Sequence, residues 1–342
     1  MNTSMNTKIV LNARPKGAPR LEDFRLEQTP LAHPAAGQVL LRTVFLSLDP
    51  YMRGRMNDAP SYAPSVQIGE AMVGGTVSRV EVSRHPSYAA GDWVVGGSGW
   101  QSFALSDGSD ISPLDERIRS PSHALGVLGM PGFTAYHGLL NIGRPQPGET
   151  IVVASAAGAV GSVVGQIGRL QGARVIGIAG GPEKCRYARE TLGFDVCIDH
   201  RASDFAAQLA AAARNGIDVY FENVGGGVFQ AVLPLLNQNA RVPVCGLIAH
   251  YNDTELPPGP DRVPLLMRQV LTRRLLVQGF LIFDHFATGR EAFVAQMSRW
   301  VDENRITVHE TFLTGLPSAP QGLIDLLAGR HLGKVIVQVS DP

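Results

Sequence analysis

The sequence predicts an α/β protein in which a doubly wound parallel sheet is inserted into a β-rich unit. Three observations carry that prediction. Residues 151–165 (IVVASAAGAVGSVVG) read as strand, glycine turn and helix; strand-like and helix-like runs then alternate as far as Phe283; and both ends of the chain hold short β-like runs broken by Gly, Pro, Asn and Asp. The expected division is residues 1–126 with 300–342 for the β-rich unit and 127–299 for the inserted α/β unit.

The first unit rests on runs such as 38–46 (QVLLRTVFL), 74–82 (GGTVSRVEV) and 92–95 (DWVV). The second begins with a helix at 130–136, where Pro131 sits in an opening turn that tolerates its missing N–H. Within 151–156 every residue but Ser155 is apolar, as in a buried parallel strand, and Val160, Val163, Val164, Ile167 and Leu170 then follow at helical spacing. Further strands are expected at 174–179, 196–199, 217–222, 241–248 and 276–283, with helices at 183–191, 204–214 and 228–236. Phe293, Met297, Trp300 and Val301 form the core face of a later helix. Residues 256–260 (LPPGP) read as a surface loop, and the last run, 333–339 (GKVIVQV), is β-like.

Composition bounds the function. With 342 residues the chain suits two domains, each able to bury a core. Thirty basic residues balance thirty acidic ones, which leaves no electrostatic footprint for nucleic acid and no polybasic membrane patch. The opening MNTSMNTKIVLNARPKG is not a signal peptide, and Met5 offers an alternative start. No apolar run approaches the ~18 residues of a spanning helix, so the expected location is cytoplasmic. Cys185, Cys197 and Cys245 lack paired metal-ligand spacing and read as small buried hydrophobes.

The 151–165 segment carries the chemistry. A strand, glycine turn and helix can aim a helix N-terminus at a pyrophosphate, with Gly158, Ala159, Val160 and Gly161 along the phosphates. The competing reading is an ordinary tight turn, since Ala156 stands where the usual fingerprint has its first glycine. Gly165 and Gly168 each cost about 1 kcal/mol in a helix relative to Ala, which suits a helix pressed closely on a sheet.

Five segments in order, LDPYMR (48–53), GMPGFTAY (129–136), AAGAVGSVVGQ (156–166), FENVGG (221–226) and CGLIAHYN (245–252), resemble the zinc-free medium-chain dehydrogenase/reductases. They are most similar to the branch of the prostaglandin and leukotriene reductases and plant double-bond reductases. Segments 240–246 and 256–264 are similar to its bacterial members. The resemblance implies a GroES-like catalytic domain, an inserted Rossmann domain and a homodimer. It also implies cofactor contacts from Lys184, His200, Asn223, Cys245, Gly246, Tyr251, Phe280, Leu281, Ile282 and His331. Two of these depart from the pattern: His200 replaces a tyrosine, and His331 an asparagine.

The end of the second strand, 178–184 (IAGGPEK), has no acid to accept a ribose 2′-hydroxyl, leaves room at two glycines and offers Lys184. That favours NADPH over NADH, with Glu183 as a helix-dipole partner. Metal is not expected: where the zinc alcohol dehydrogenases carry Gly-His-Glu, this chain has Ile68-Gly69-Glu70-Ala71, and three cysteines cannot rebuild a zinc site. Reduction of a C=C bond conjugated to a carbonyl fits a metal-free site, because one hydroxyl can steady the oxygen that gains charge. Tyr251 is the candidate for that hydroxyl; its alternative role is to close the cleft as an aromatic. Asn223 reads as a cofactor contact or a turn residue, and Tyr51, Tyr62 and Met130 as substrate wall or packing. The expected activity is NADPH-dependent reduction of hydrophobic α,β-unsaturated ketones, diarylheptanoid-like ones included. The rivals are an NADPH:quinone reductase and a non-catalytic NADPH-binding protein.

Overall fold

The computed structural model describes residues 5–255 and 259–342, so part of the proline-rich 256–260 segment lies outside the described residues. The chain divides into two units: the part through Gly126 together with Glu310–Pro342, and Val127–His309. The return crossing therefore falls at 309/310 rather than at the expected 299/300. The reason is local. The helix Phe286–Asp302 runs on past residue 300, Ile306 is buried, and the Gln166 side chain accepts from Thr307 N–H at 2.7 Å and donates to the Thr307 carbonyl at 3.1 Å.

In the first unit the strands are β1 (Met5–Leu11), β2 (Phe24–Pro30), β3 (Val39–Leu48), β4 (Thr76–Ser83), β5 (Trp93–Gly96), β6 (Phe103–Ser106) and β7 (Ile111–Pro113). The second unit contributes β8 (Thr150–Ala154), β9 (Arg174–Ala179), β10 (Val196–Asp199), β11 (Ile217–Phe221), β12 (Leu236–Val244) and β13 (Leu276–Gly279), and the chain closes with β14 (Glu310–Thr314) and β15 (Lys334–Gln338). β15 pairs antiparallel with β3, Val335 opposite Leu48, so the C-terminal tail completes the N-terminal sheet. That sheet is ordered β14-β15-β3-β4-β5-β7, with β6 also on β3.

β3 is buried along nearly its whole length, and Leu46 and Leu48 join Ile9, Leu11, Met52, Trp100, Leu316 and Val335 in one core. Each such side chain contributes about 1.5–3 kcal/mol when removed from water. A buried ion pair ties the sheet to the 48–53 turn: Lys334 Nζ donates to Asp49 Oδ1 at 2.8 Å and to the Leu48 carbonyl at 2.6 Å. Arg53 is likewise structural, 2 % exposed and bonded to the carbonyls of Pro15 and Gly17 and to Asn57.

In the second unit all strand pairs are parallel, in the order β10-β9-β8-β11-β12-β13. By sequence this runs third, second, first, fourth, fifth, sixth, so the direction of winding reverses between β8 and β11. Ligands in such sheets bind outside the carboxyl ends of the strands at that switch point. The apolar run of β8 is fully buried, as a strand covered on both faces must be. Expected strand bounds shift at three places: β12 spans Leu236–Val244 instead of 241–248, β13 stops at Gly279 instead of 283, and β11 stops at Phe221 instead of 222. A helix over Val263–Arg273, absent from the expectation, precedes β13. Among the described residues no helix is long and apolar enough to cross a membrane.

Candidate functional site

Because its strands run parallel, the second unit gathers the segments after β8, β9, β10, β11, β12 and β13 along one carboxyl edge. The segment after β8 is the tightest. Ser155 takes φ 56°, a left-handed conformation that L residues seldom hold, and its carbonyl accepts Gly158 N–H at 2.9 Å. A methyl group at Gly161 would lie 2.2 Å from that same carbonyl oxygen. Gly161 is thus required by the turn itself, and the helix Gly161–Leu170 starts there. At Gly158 the constraint is looser: a Cβ there would meet the exposed Ser155 hydroxyl at 2.9 Å and the Ser155 carbonyl oxygen at 3.3 Å. Ala159 and Val160 bridge the two glycines, half-buried. The helix glycines explain themselves: a Cβ at Gly165 would enter the Phe194 ring at 1.9 Å, and one at Gly168 would lie 2.7 Å from Ile151.

After β9 the chain reads Gly180-Gly181 and enters the helix Pro182–Glu190. A side chain at Gly180 would meet His200 Nε2 at 3.0 Å and Arg201 Nε at 3.1 Å. Lys184 belongs to the same cluster: burial first, then the Arg201 guanidinium, holds its ammonium below the ordinary lysine value, and burial followed by Arg201 does the same to His200. Asp199 at the end of β10 is turned to the backbone, its Oδ1 accepting N–H of Gly181 and of Arg201 at 2.9 Å each. Burial and mutual repulsion both disfavour the charged forms in this cluster, and an anion among them would relieve that cost. Arg201 follows His200 in the chain, and its neighbourhood with Lys184 depends on the pairing of β9 with β10.

After β11, Asn223 Nδ2 donates to the Ala154 carbonyl at 2.8 Å and so ties the ends of β8 and β11 together at the switch point. Beyond β12, Cys245 and Gly246 donate to the Glu222 carbonyl at 2.9 and 3.2 Å. Gly246 faces the Tyr251 hydroxyl closely enough that a Cβ would meet it at 3.0 Å, and Asn223 O at 3.6 Å. Burial, then Glu222, pushes the Cys245 thiol up to about 12, which keeps it protonated. His250 pairs with Asp253 at 2.7 Å. Beyond β13, Phe280 meets Phe221 edge-on, centroids 6.5 Å apart, and lies against His137 at 5.9 Å; Ile282 is buried and Leu281 exposed.

Gly158–Gly161, Lys184, His200, Asn223, Cys245, Gly246, Tyr251 and Phe280–Ile282 therefore share one sheet edge. Met130 lies in the same unit, opening the helix Met130–His137, where its carbonyl accepts from Thr134 Oγ1. Tyr51, Tyr62 and His331 belong to the other unit. There Tyr51 is half-buried against the core, its hydroxyl pushed well above the usual value by burial and then by Asp49, Tyr62 is 60 % exposed, and His331 precedes β15.

A family model described as the N-terminal domain of oxidoreductase matches residues 7–114, and one described as zinc-binding dehydrogenase matches residues 159–302. The NADPH-dependent curcumin reductase of Escherichia coli (strain K12) is 60 % identical over 335 residues, 98 % of this chain and 97 % of that protein. Prostaglandin reductase 1 of Rattus norvegicus is 38 % identical over 328 residues, 94 % of this chain and 96 % of that protein. The crystal structure of CurA from Vibrio vulnificus in complex with NADPH superimposes with a TM-score of 0.96 at 56 % identity, covering 98 % of this chain and 100 % of that one.

Proposed function

Since the chain belongs to the medium-chain dehydrogenase/reductase family, in the branch of the curcumin and prostaglandin reductases, we propose that it is an NADPH-dependent reductase of the C=C bond of hydrophobic α,β-unsaturated ketones. The observation that carries the reading is the carboxyl edge of the second sheet, where a turn too tight for a Cβ, a cationic cluster and the Tyr251 hydroxyl lie along one line of strands. The residues fit the cofactor: the glycines at 158 and 161 let the backbone approach a pyrophosphate, and Lys184 and Arg201 offer charge, with the His200 imidazole beside them, to a 2′-phosphate with no carboxylate at the end of β9. Asn223, Cys245, Gly246 and Phe280–Ile282 would line the rest of it. NADPH, when bound, supplies the hydride that adds to the β-carbon of the enone.

The chain's own task is to manage the charge that this addition moves onto the carbonyl oxygen. The Tyr251 hydroxyl donates a hydrogen bond to that oxygen, and the α-carbon then takes a proton from solvent water to give the saturated ketone, the hydroxyl keeping its own proton. Met130, in the same unit as Tyr251, would belong to the substrate wall. The proposed steps need no metal, since one oriented hydroxyl serves the oxygen that gains charge. Tyr251→Phe tests the reading. Turnover of an enone is expected to fall about a hundredfold, the cost of losing one oriented donor, while NADPH affinity is kept; wild-type turnover removes Tyr251 from the mechanism.

A homodimer and a cytoplasmic location belong to the same proposal. Val263, Leu265, Met267 and Leu271 on the helix before β13 stand 52–78 % exposed, beside Leu276 and Val277 of β13, the outermost strand of its sheet. An apolar patch next to an open strand edge suits a second copy of the chain. Leu271→Glu is expected to convert a dimer to a monomer in size-exclusion chromatography with light scattering.

A further inference from the structure

Glu222 directly follows β11 in a place where a carboxylate is expensive: it is 2 % exposed, and burial raises its pKa above the ordinary value. Its Oε1 nevertheless accepts three hydrogen bonds, from Val224 N–H at 2.6 Å, Gly225 N–H at 2.8 Å and Tyr220 OH at 3.0 Å. Its Oε2 is buried without a hydrogen-bond partner. The residue thus folds the Asn223–Gly225 turn around one oxygen.

That turn is in turn the template for the loop after β12. The Glu222 carbonyl receives Cys245 and Gly246, the Asn223 carbonyl receives Ile248 N–H at 3.3 Å, and the Val224 carbonyl receives Ala249 N–H at 3.0 Å. Tyr251 N–H continues the series to the Ile248 carbonyl at 3.3 Å, and the Tyr251 hydroxyl comes to rest against Gly246. A continuous set of hydrogen bonds therefore runs from one carboxylate oxygen to the backbone of Tyr251.

We propose that Glu222 is a positioning residue for the reduction, holding the 222–225 turn so that the loop hung on it presents the Tyr251 hydroxyl in register. The proposal rests on the reading of Tyr251 as the donor to the substrate oxygen. It makes a specific demand: the site needs an acceptor at Oε1 and has no use for charge at Oε2, so Gln suffices at this position and an apolar residue does not.

The test is a double-mutant cycle on the full-length protein, with NADPH binding followed by its fluorescence and kcat measured with an enone. Glu222→Ala is expected to lower kcat about tenfold to a hundredfold, the cost of an ångström-scale displacement of a catalytic group. Its NADPH Kd should rise by less than kcat falls: Asn223, Cys245 and Gly246 hang on the same turn, but the Gly158–Gly161 turn and the Lys184 cluster lie outside it. Glu222→Gln restores kcat. Adding Tyr251→Phe to Glu222→Ala costs little more, because the hydroxyl is already out of place. Should Glu222→Ala fail to fold, Glu222→Met fills the same volume without an acceptor and carries the same expectations. Wild-type kcat in the Ala or Met variant, or losses that multiply fully with Tyr251→Phe, overturns the proposal and leaves the Tyr251 reading standing. Loss of NADPH binding in proportion to kcat also overturns it, as a general defect. Wild-type kcat in the single Tyr251→Phe variant overturns the Tyr251 reading and this proposal with it.

Discussion

Gly161→Ala puts a single methyl group into the turn on which the proposed nucleotide site depends. The new Cβ would lie 2.2 Å from the Ser155 carbonyl oxygen, 2.8 Å from its carbon and 3.1 Å from the Ala154 oxygen. All three are backbone atoms, so no rotamer change relieves the clash. Ser155 is already left-handed at φ 56° and hydrogen-bonded to Gly158, so the turn has little slack. The cost should reach the upper end of the overpacking range, about 3 kcal/mol, which lowers Tm by roughly 6–12 °C for a unit of this size. The turn must open to accommodate the methyl group, and a phosphate-binding backbone displaced by that much should lose at least about tenfold in NADPH affinity, or 1.4 kcal/mol. The assay is thermal unfolding with and without NADPH at about 100 times the wild-type Kd, where ligand linkage should stabilise the wild type by about 2.7 kcal/mol. Gly165→Ala is the control: it collides with the Phe194 side chain at 1.9 Å, one turn into the helix and clear of the Ser155 backbone, and should lower Tm while keeping the NADPH-induced gain. If Gly161→Ala shows the full wild-type gain, the turn is not where the pyrophosphate sits.

Three further outcomes follow from the structure. Lys184→Ala and Arg201→Ala should each raise the KM for NADPH about tenfold or more, the loss of one charge-assisted hydrogen bond, while leaving that for NADH unchanged; equal effects on both cofactors would refute the 2′-phosphate assignment. Glu222 has a folded pKa raised by burial above the usual 4.5, so its protonated form contributes stability fully present below that value and lost as pH rises through the raised one. Glu222→Gln should therefore gain in Tm relative to the wild type as pH rises from about 4.5, and a pH-independent difference would contradict this. Lys334→Met leaves Asp49, with a 7 % exposed side chain, without its ammonium partner, and should cost about 3–5 kcal/mol in urea unfolding; Asp49→Asn in the same chain should recover part of it.

Much of the fold was legible because the parallel sheet writes its strands as apolar runs, and because glycines inside a helix signal close approach to a sheet. Gly165 and Gly168 were read that way, and Phe194 and Ile151 are the side chains they admit. The boundary at 309/310 was not legible, since the capture of Thr307 by Gln166 links residues 141 positions apart. The helix Val263–Arg273 was missed because it follows a proline-rich stretch and carries Pro264 in its own first turn, with no fully buried residue to mark an inner face. At the site, glycines and Tyr251 stood out by type and place. Glu222 and Arg201 did not, because their roles depend on which carbonyls, amides and cations the strand order brings beside them. A carboxylate that ends an apolar strand directly before Asn-Val-Gly-Gly is the signal that was available for Glu222: buried, it needs donors, and the following turn has them.

The most direct measurement is oxidation of NADPH by the purified protein, followed by its absorbance, with a conjugated enone such as curcumin, a quinone and a saturated ketone offered in parallel and NADH as the alternative cofactor. The account predicts rapid oxidation with the enone, a product reduced at the C=C bond and not at the carbonyl, and little reaction with NADH or with the saturated ketone. Turnover of the quinone alone, or of none of the three while NADPH still binds, would contradict it.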